Sequence, residues 1–278
     1  MVQQVTPNGF HLLLPCPQRS PEPIFQFLSL TDSLELAPRQ DGKIVGCYNI
    51  QGLKFKDDLI YKAALMLQKN SGTKLGVDIG LEKKIPVGGG LGGGSSNAAT
   101  MLVALNEVWG LNYSLEKLMS IGATLGADVP VFIFGRAAWA EGRGEMLEPI
   151  NLDEKVILLL FPGVSVSTKK IFSDPFLQRN TIPINKEDFG ILKVRNDFQE
   201  TTNKIYPEVK KALGWLTIQS EKAFMSGTGS TIFAVFDSYN EAKKVEKKVP
   251  QYWESTVTQC LNQSPLLNSL KAYQNMVS

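Results

Sequence analysis

Pro86-Val-Gly-Gly-Gly-Leu-Gly-Gly-Gly-Ser-Ser-Asn-Ala-Ala99 is the stretch of this sequence that decides its fold, because it places six glycines and two serines directly before a helix-forming run. Glycine lets the backbone turn through positive φ and approach another group closely. The free N–H groups at the start of a following helix, together with the helix dipole, attract an anion. The pattern predicts a phosphate-binding loop and a helix that begins at Ser95 or Ser96 and continues through Asn106.

Three other interpretations of the glycine stretch fit less well. A Walker P-loop ends in Gly-Lys-Ser/Thr, whereas Gly94-Ser95-Ser96 contains no lysine. A Rossmann fingerprint can be written over Gly88, Gly90 and Gly93, but Glu107 is followed by Val-Trp-Gly instead of a second strand. The third is a flexible surface loop, and such linkers seldom run straight into an apolar helix.

Composition indicates a globular protein with two domains. The chain has 278 residues, 43% of them hydrophobic and 20% charged, with a net charge of +2. No basic stripe interleaved with aromatic residues is visible, so a nucleic-acid partner is not expected. Three widely spaced cysteines and a single histidine do not form a zinc motif, and we expect no metal-ligand cluster in the protein itself. The sequence shows no signal peptide and no apolar run of membrane-spanning length, which predicts a reduced, cytoplasmic protein that does not bind membranes.

Hydrophobic periodicity predicts helices and strands that do not alternate strictly, which indicates the α+β class. A polar turn over 151–155 separates two such halves, and we place the boundary there, giving domains 1–152 and 153–278. The predicted helices are 58–68, 114–125, 201–216 and 239–248, and the predicted strands are 43–50, 74–82, 137–140 and 156–161, with a strand-turn-strand unit over 223–236.

Two further segments are hard to explain by packing alone. Asp128 follows two small residues in Leu125-Gly-Ala-Asp-Val-Pro130, and it is either the N-cap of a short helix with Pro130 in its first turn, or a functional carboxylate, or both. The segment Ser226-Gly-Thr-Gly-Ser230 lies between apolar strand residues. It is either a tight turn or a second place where backbone approaches a ligand closely.

The three segments, in this order, resemble the GHMP small-molecule kinases. The match extends over Thr124–Phe132, Ala140–Glu145 and Pro162–Val164, and it spans about Ile24 to Leu266. The resemblance implies a two-domain fold, with an N-terminal ATP-binding domain like domain 2 of ribosomal protein S5 and a ferredoxin-like C-terminal domain. It also implies phosphorylation, by ATP and with Mg²⁺, of the 2-hydroxyl of a small molecule, a cytidine-diphosphate-linked methylerythritol of non-mevalonate isoprenoid biosynthesis.

The family pattern also implies roles for individual residues. Asp128 would accept the proton of the attacking hydroxyl, and Phe172 would stack on the cytosine. ATP would be bound by Pro86, Val87, Gly88, Gly89, Gly90, Leu91, Gly92, Gly93, Gly94, Ser95 and Ser96, with Asp58 near the adenine where the family usually has asparagine. The substrate would contact Phe172, Thr168, Gly227, Thr228 and Gly229.

The N-terminal segment departs from the family pattern. The family begins with a strand reading Pro-Ala-Lys-Leu/Ile-Asn and continues to Asp-Gly-Tyr-His, whereas here Gly9 stands in place of the lysine, His11 in place of the asparagine, and no Tyr-His pair occurs. The lysine would keep the Asp128 carboxylate ionised, and the Tyr-His pair would hold the cytosine opposite Phe172. The departure predicts weakened activity and weakened substrate affinity.

Several alternatives remain open at this point. The N-terminal departure indicates a catalytically weakened paralogue, an enzyme with replacement groups, or an incorrectly read coding segment over residues 1–23. The rival functions are a GHMP kinase for another small alcohol and a non-catalytic protein that binds ATP without transferring phosphate. The sequence does not determine the oligomeric state.

Overall fold

The computed structural model describes residues 3–5, 11–14, 24–141, 146–177 and 196–277. The N-terminal positions that depart from the family pattern lie outside the described residues, except that the backbone of His11 forms part of a strand. Within the described ranges, no helix is both long enough and apolar enough to span a bilayer.

Helices and strands alternate irregularly along the chain. The strands are β1 (Gln3–Val5), β2 (His11–Leu14), β3 (Ile24–Leu28), β4 (Ser33–Arg39), β5 (Ile44–Gly46), β6 (Gly76–Glu82), β7 (Ala138–Glu141), β8 (Met146–Pro149), β9 (Val156–Phe161), β10 (Ala223–Met225), β11 (Ile232–Phe236) and β12 (Glu254–Leu261). The helices are α1 (Leu59–Ser71), α2 (Gly93–Val108), α3 (Leu115–Ala123), α4 (Val129–Phe134), α5 (Thr168–Phe172), α6 (Phe198–Ile205), α7 (Pro207–Gln219), α8 (Tyr239–Glu246) and α9 (Pro265–Val277), with a 3-10 turn over Phe55–Asp57.

The first sheet has four strands in the order β1-β4-β6-β5. Strands β4 and β6 are antiparallel, with Leu36 opposite Ile79, whereas β5 runs parallel to β6. A parallel pair needs a crossover, and α1 supplies it between β5 and β6. Strand β6 ends at Glu82, four residues before Pro86, so this sheet positions the start of the glycine loop.

The second sheet has the path β10-β11-β9-β12-β3-β7-β8, and β2 pairs with β3 beside this path. Its first four strands are antiparallel neighbours. With the helices after β9 and between β11 and β12 they form a β-α-β-β-α-β unit, which is the ferredoxin-like motif expected for the second half. Because β12 also pairs with β3, this sheet continues across the predicted boundary between 1–152 and 153–278, and that boundary stays a prediction.

A buried core fixes the direction of α2. The seven consecutive residues from Ser96 to Leu102 are all buried, so α2 is enclosed on all sides here, and it packs with α1 and α4. The rings of Phe27 and Phe132, with centroids 6.0 Å apart in an edge-to-face arrangement, join β3 to α4 in the same core. The helix is therefore held by packing along its length, while its first residues stay near the surface.

Most of the predicted elements are confirmed, together with the α+β class. The strand predicted over 43–50 was too long, since only Ile44–Gly46 is a strand, and two helix predictions were wrong. Helix α2 begins at Gly93 instead of at Ser95 or Ser96, because the left-handed Gly92 (φ 69°) ends the loop earlier than the serines indicated. The single helix predicted over 201–216 is two helices, α6 and α7, because Pro207 cannot donate the backbone hydrogen bond that a continuous helix requires.

Candidate active site

The predicted phosphate loop adopts a conformation that requires glycine at alternate positions. Gly88, Gly90 and Gly92 have φ values of 73°, 74° and 69°. The first hydrogen bond of α2 runs from the N–H of Ser96 to the carbonyl of Gly92 at 2.8 Å, so the preceding N–H groups of residues 93–95 point out of the helix start. Gly92 has no side chain with which to cap them. The loop thus has the geometry of an anion site.

The second glycine segment, Ser226–Ser230, lies directly against the first. The backbone N–H of Thr231 donates to the carbonyl of Gly89 at 3.0 Å, and the Ser226 hydroxyl donates to the carbonyl of Gly90 at 3.2 Å. A Cβ atom on Gly90 would overlap the carbonyl oxygen of Gly229. The structure therefore brings the predicted ATP loop and the predicted substrate loop into contact.

Asp128 lies at the N-cap position of α4, beside the start of α2. A Cβ atom on the neighbouring Gly126 would be 3.8 Å from the Ser95 hydroxyl oxygen. The position of Asp128 agrees with the N-cap interpretation. Its side chain makes no capping hydrogen bond, however, so the carboxylate itself does not cap the helix. Burial raises the pKa of this carboxyl above its ordinary value. The carboxylate is thus left for another function.

Asp58 caps α1 as the alternative interpretation expected. One carboxylate oxygen accepts a hydrogen bond from the backbone N–H of Ile60 at 3.1 Å, and the other accepts from the Tyr48 hydroxyl at 2.7 Å. The adjacent Leu59 approaches the α2 start, because its Cδ1 atom would lie 3.5 Å from a Cβ atom on Gly94. Asp58 is thus close to the phosphate loop, while its contact with adenine stays a prediction.

The predicted substrate residues Thr168 and Phe172 lie on α5, and Thr168 contacts the second glycine segment. The hydroxyls of Thr168 and Thr228 are 3.1 Å apart, and the Thr202 hydroxyl donates to the Thr228 carbonyl at 3.1 Å. The Phe172 ring is 48% exposed and packs against Phe198 with centroids 5.0 Å apart. About half of the ring is therefore exposed, and an exposed aromatic ring can stack on a base.

The sequence interpretation missed a charged cluster beneath the phosphate loop. Asp32 is fully buried and accepts hydrogen bonds from the Lys83 ammonium at 2.7 Å and from the Asn97 side-chain amide at 2.8 Å. The Lys83 ammonium would be 3.4 Å from a Cβ atom on Gly93. The phosphate loop therefore has a lysine nearby in space, although the Walker position lacks one. A signal was present in the sequence, since Lys83 is three residues before Pro86, where the glycine stretch begins.

No cluster of three or more histidine, cysteine or acidic side chains occurs in the part of the chain that the structure describes. The oxygen groups near the loop are instead separate: the Ser95 hydroxyl, the Asp128 carboxylate and the buried side-chain oxygen of Asn97, which has no hydrogen-bond partner. Mg²⁺ is commonly held by one or two protein oxygens together with substrate phosphates. These residues fit an ion that arrives with a nucleotide.

Comparison with known proteins shows the family of this chain. The model of the GHMP kinase N-terminal domain matches residues 58–136, and the model of the GHMP kinase C-terminal domain matches residues 181–255. The chain is 43% identical to a 4-diphosphocytidyl-2-C-methyl-D-erythritol kinase of Ralstonia nicotianae, over 94% of this chain and 89% of that protein. It is 44% identical to the protein of the same name from Pseudomonas syringae pv. tomato, over 95% of this chain and 91% of that protein.

Solved structures agree with the sequence comparisons. A crystal structure of a 4-(cytidine 5'-diphospho)-2C-methyl-D-erythritol kinase matches with a TM-score of 0.75 and 28% identity, covering 94% of this chain and 99% of that one. A homoserine kinase of Cytophaga hutchinsonii shares the fold, with a TM-score of 0.67 and 14% identity. The chain is therefore a member of the GHMP kinase family, in the group of the 4-diphosphocytidyl-2-C-methyl-D-erythritol kinases.

Proposed function

We propose that this kinase transfers the γ-phosphoryl group of ATP to the 2-hydroxyl of 4-diphosphocytidyl-2-C-methyl-D-erythritol. The observation that carries this proposal is the direct contact between the two glycine segments, in which Ser226 and Thr231 donate to Gly90 and Gly89. A nucleotide on the first segment would present its terminal phosphate to a molecule held by the second. Phosphoryl transfer depends mainly on such positioning and on neutralisation of charge.

The phosphates would lie on residues 86–96, where the backbone N–H groups at the start of α2 point out of the helix. Asp58 and the first turn of α1 would border the adenine, because Leu59 approaches Gly94. Mg²⁺ would be held by the nucleotide phosphates with oxygens from Ser95, Asn97 or Asp128, and it supplies neutralisation of phosphate charge. Lys83, which lies beside Gly93, would supply a further positive charge to the nucleotide phosphates.

The acceptor side would be formed by the second glycine segment and α5. Thr168 and Thr228 have hydroxyls 3.1 Å apart that can hold the diphosphate or the erythritol hydroxyls, and the exposed Phe172 ring can stack on the cytosine. In the reaction, the 2-hydroxyl oxygen forms a bond to the γ-phosphorus while the bond from that phosphorus to the β–γ bridging oxygen breaks. Asp128 takes the hydroxyl proton, and ADP leaves with the bridging oxygen.

Burial raises the pKa of Asp128, which makes the carboxyl a stronger base once it is ionised. Among the described residues, no positively charged group counteracts this rise in pKa by stabilising the ionised carboxylate. The Gly9 position, where the family has lysine, lies outside the described residues. We infer that turnover is slower than in a relative that carries this lysine.

The test is an assay of the purified chain with ATP, Mg²⁺ and the cytidine substrate, in which ADP release and the phosphorylated product are both measured. Formation of the 2-phosphate is the expected result. Product formation only with another alcohol in a panel such as homoserine, mevalonate and galactose would replace the substrate in this proposal. ADP binding without turnover of any alcohol would show a non-catalytic nucleotide-binding protein.

A further inference from the structure

The buried carboxylate of Asp32 is the most heavily hydrogen-bonded acceptor near the phosphate loop. It lies in the turn between β3 and β4 and is 0% exposed. One of its oxygens accepts from the backbone N–H groups of Lys84 and Ile85, each at 2.9 Å. The other accepts from the Lys83 ammonium at 2.7 Å and from the Asn97 amide at 2.8 Å. Four donors around one carboxylate compensate for its burial.

These four donors come from the two segments that flank the glycine loop. The segment 83–85 leads into the loop at Pro86, and Asn97 lies in the first turns of α2, after the loop. Asp32 therefore fixes the distance between the beginning and the end of the loop. Stability alone gives a weak reason for this arrangement, because a buried ion pair loses much of its attraction to the cost of desolvation.

The Lys83 ammonium that Asp32 holds is directed to the start of α2, 3.4 Å from the position of a Cβ atom on Gly93. The positive end of the helix dipole and an ammonium group thus meet at one place, which favours a polyanion and disfavours an empty site. Burial lowers the pKa of Lys83, and the negative charges of Asp32 and of Asp58 at the start of α1 act against that shift. The group that α2 places next to this ion pair is the side-chain amide of Asn97, which is neutral.

We propose that Asp32 is a positioning residue for nucleotide binding, which holds the Lys83 ammonium in place at the start of α2 and sets the width of the phosphate loop. The proposal deepens the proposed function, because it takes a nucleotide polyphosphate as the ligand of the loop. Asp32 acts through Lys83 and the loop backbone and not by direct contact with the nucleotide, since its side chain is 0% exposed and each of its two oxygens already accepts from two protein donors.

The test is the affinity for ADP, measured by titration calorimetry without any turnover. Asp32→Asn keeps the shape of the side chain and removes its charge. We expect ADP affinity to fall by about 10-fold or more near neutral pH. The loss should grow as the solution becomes alkaline, because burial lowers the pKa of Lys83 and the loss of its carboxylate partner lowers it further.

Asp78→Asn is the matched control. Asp78 lies on β6, five residues before Lys83, and its carboxylate also pairs with a cation, Arg39, at 2.8 Å. This variant should keep the wild-type ADP affinity and its dependence on pH. The proposal is overturned if Asp32→Asn matches the wild type in both measurements, or if Asp78→Asn loses as much affinity.

Lys83→Arg gives an independent test that does not depend on Asp32→Asn being folded. A guanidinium stays protonated to about pH 12 or above, so a loss of ADP affinity at alkaline pH in the wild type should be reduced in this variant. An unchanged alkaline loss would overturn the proposal. Failure of the proposed function is distinguishable, because a chain that phosphorylates no alcohol can still show these effects on ADP binding.

Discussion

The Ser226 hydroxyl donates a hydrogen bond of 3.2 Å to the carbonyl of Gly90, across 136 residues of sequence. Beside it, the N–H of Thr231 donates to the carbonyl of Gly89 at 3.0 Å. The two glycine segments are therefore joined by one side-chain and one backbone donor, and the absence of a Cβ atom at Gly90 lets the two backbones approach closely. At Gly90 this contact adds a second reason for glycine, beside the positive φ that the loop conformation already requires.

Gly90→Ala is expected to disrupt this junction. The residue has a φ of 74°, and a Cβ atom would overlap the carbonyl of Gly229 and lie 3.1 Å from that of Ser226. Strain and overlap together should cost about 2 to 4 kcal/mol of unfolding free energy and lower ATP affinity by about 10-fold or more. Denaturant unfolding and fluorescent nucleotide titration measure the two effects.

The control for this prediction is Gly52→Ala. Gly52 has a similar φ of 78°, but a Cβ atom there meets no other atom within 4 Å. This variant should lose about 1 kcal/mol from backbone strain alone and keep its ATP affinity. Equal effects of the two substitutions would show that φ, and not the contact between the segments, makes glycine necessary at position 90.

Tyr48→Phe tests the support of Asp58 at the start of α1. The Tyr48 hydroxyl donates to the Asp58 carboxylate at 2.7 Å, and burial together with this carboxylate raises the pKa of the phenol. Loss of a hydrogen bond to a charged, buried acceptor should lower the unfolding free energy by about 1.5 to 3 kcal/mol. Tyr113→Phe removes an exposed hydroxyl that donates to the Asn70 carbonyl at 3.1 Å, and it should cost about 0.5 kcal/mol. Similar losses in thermal unfolding would contradict the special role of Asp58.

Local patterns in the sequence were sufficient to predict the segments that form the candidate site. The glycine stretch, Asp128 and Ser226–Ser230 are conspicuous because small residues there stand next to apolar helices and strands. The boundaries of α2 and the division between α6 and α7 were missed, since a left-handed glycine and a proline override the hydrophobic period that predicts helices.

What the sequence did not reveal are relationships between distant segments. Asp32 is 51 residues from Lys83 and 65 from Asn97, and nothing in its local sequence distinguishes it from a turn residue. Similarly, the pairing of β3 with β12 across the predicted domain boundary depends on tertiary packing. Periodicity describes one segment at a time and cannot report such contacts.

Phe172→Ala should weaken binding of the cytidine substrate specifically. The ring is 48% exposed and rests against Phe198, so its removal takes away one stacking surface. We expect KM for the cytidine substrate to rise by about 5- to 10-fold, with KM for ATP unchanged. Phe176, which is 76% exposed on the same segment and lies under Lys204, is the matched control. If Phe176→Ala raises the same KM equally, general loss of aromatic surface is the explanation.

Asp128→Asn separates catalysis from folding. The side chain makes no capping hydrogen bond, so the substitution removes no cap from α4 and keeps nearly the same shape. Burial raises the pKa of the carboxyl in the folded state, and its ionised form therefore makes the fold less stable as pH rises through that pKa. The asparagine variant should be at least as stable as the wild type at neutral pH, and the difference should disappear at acidic pH, where the wild-type carboxyl is protonated. Chemical unfolding at several pH values measures this difference.

The activity of the same variant should change in the opposite direction. A proton acceptor must be ionised, so wild-type kcat/KM should fall as the pH drops through the raised pKa of Asp128, at higher pH than an ordinary carboxyl would give. Asp128→Asn should lose about 100-fold or more in kcat with little change in the affinity for ATP measured without Mg²⁺, because the phosphate loop and α2 are untouched. A variant with near-normal kcat and the same acidic limb would mean that another group accepts the proton. The acidic limb would then have to be assigned to that group.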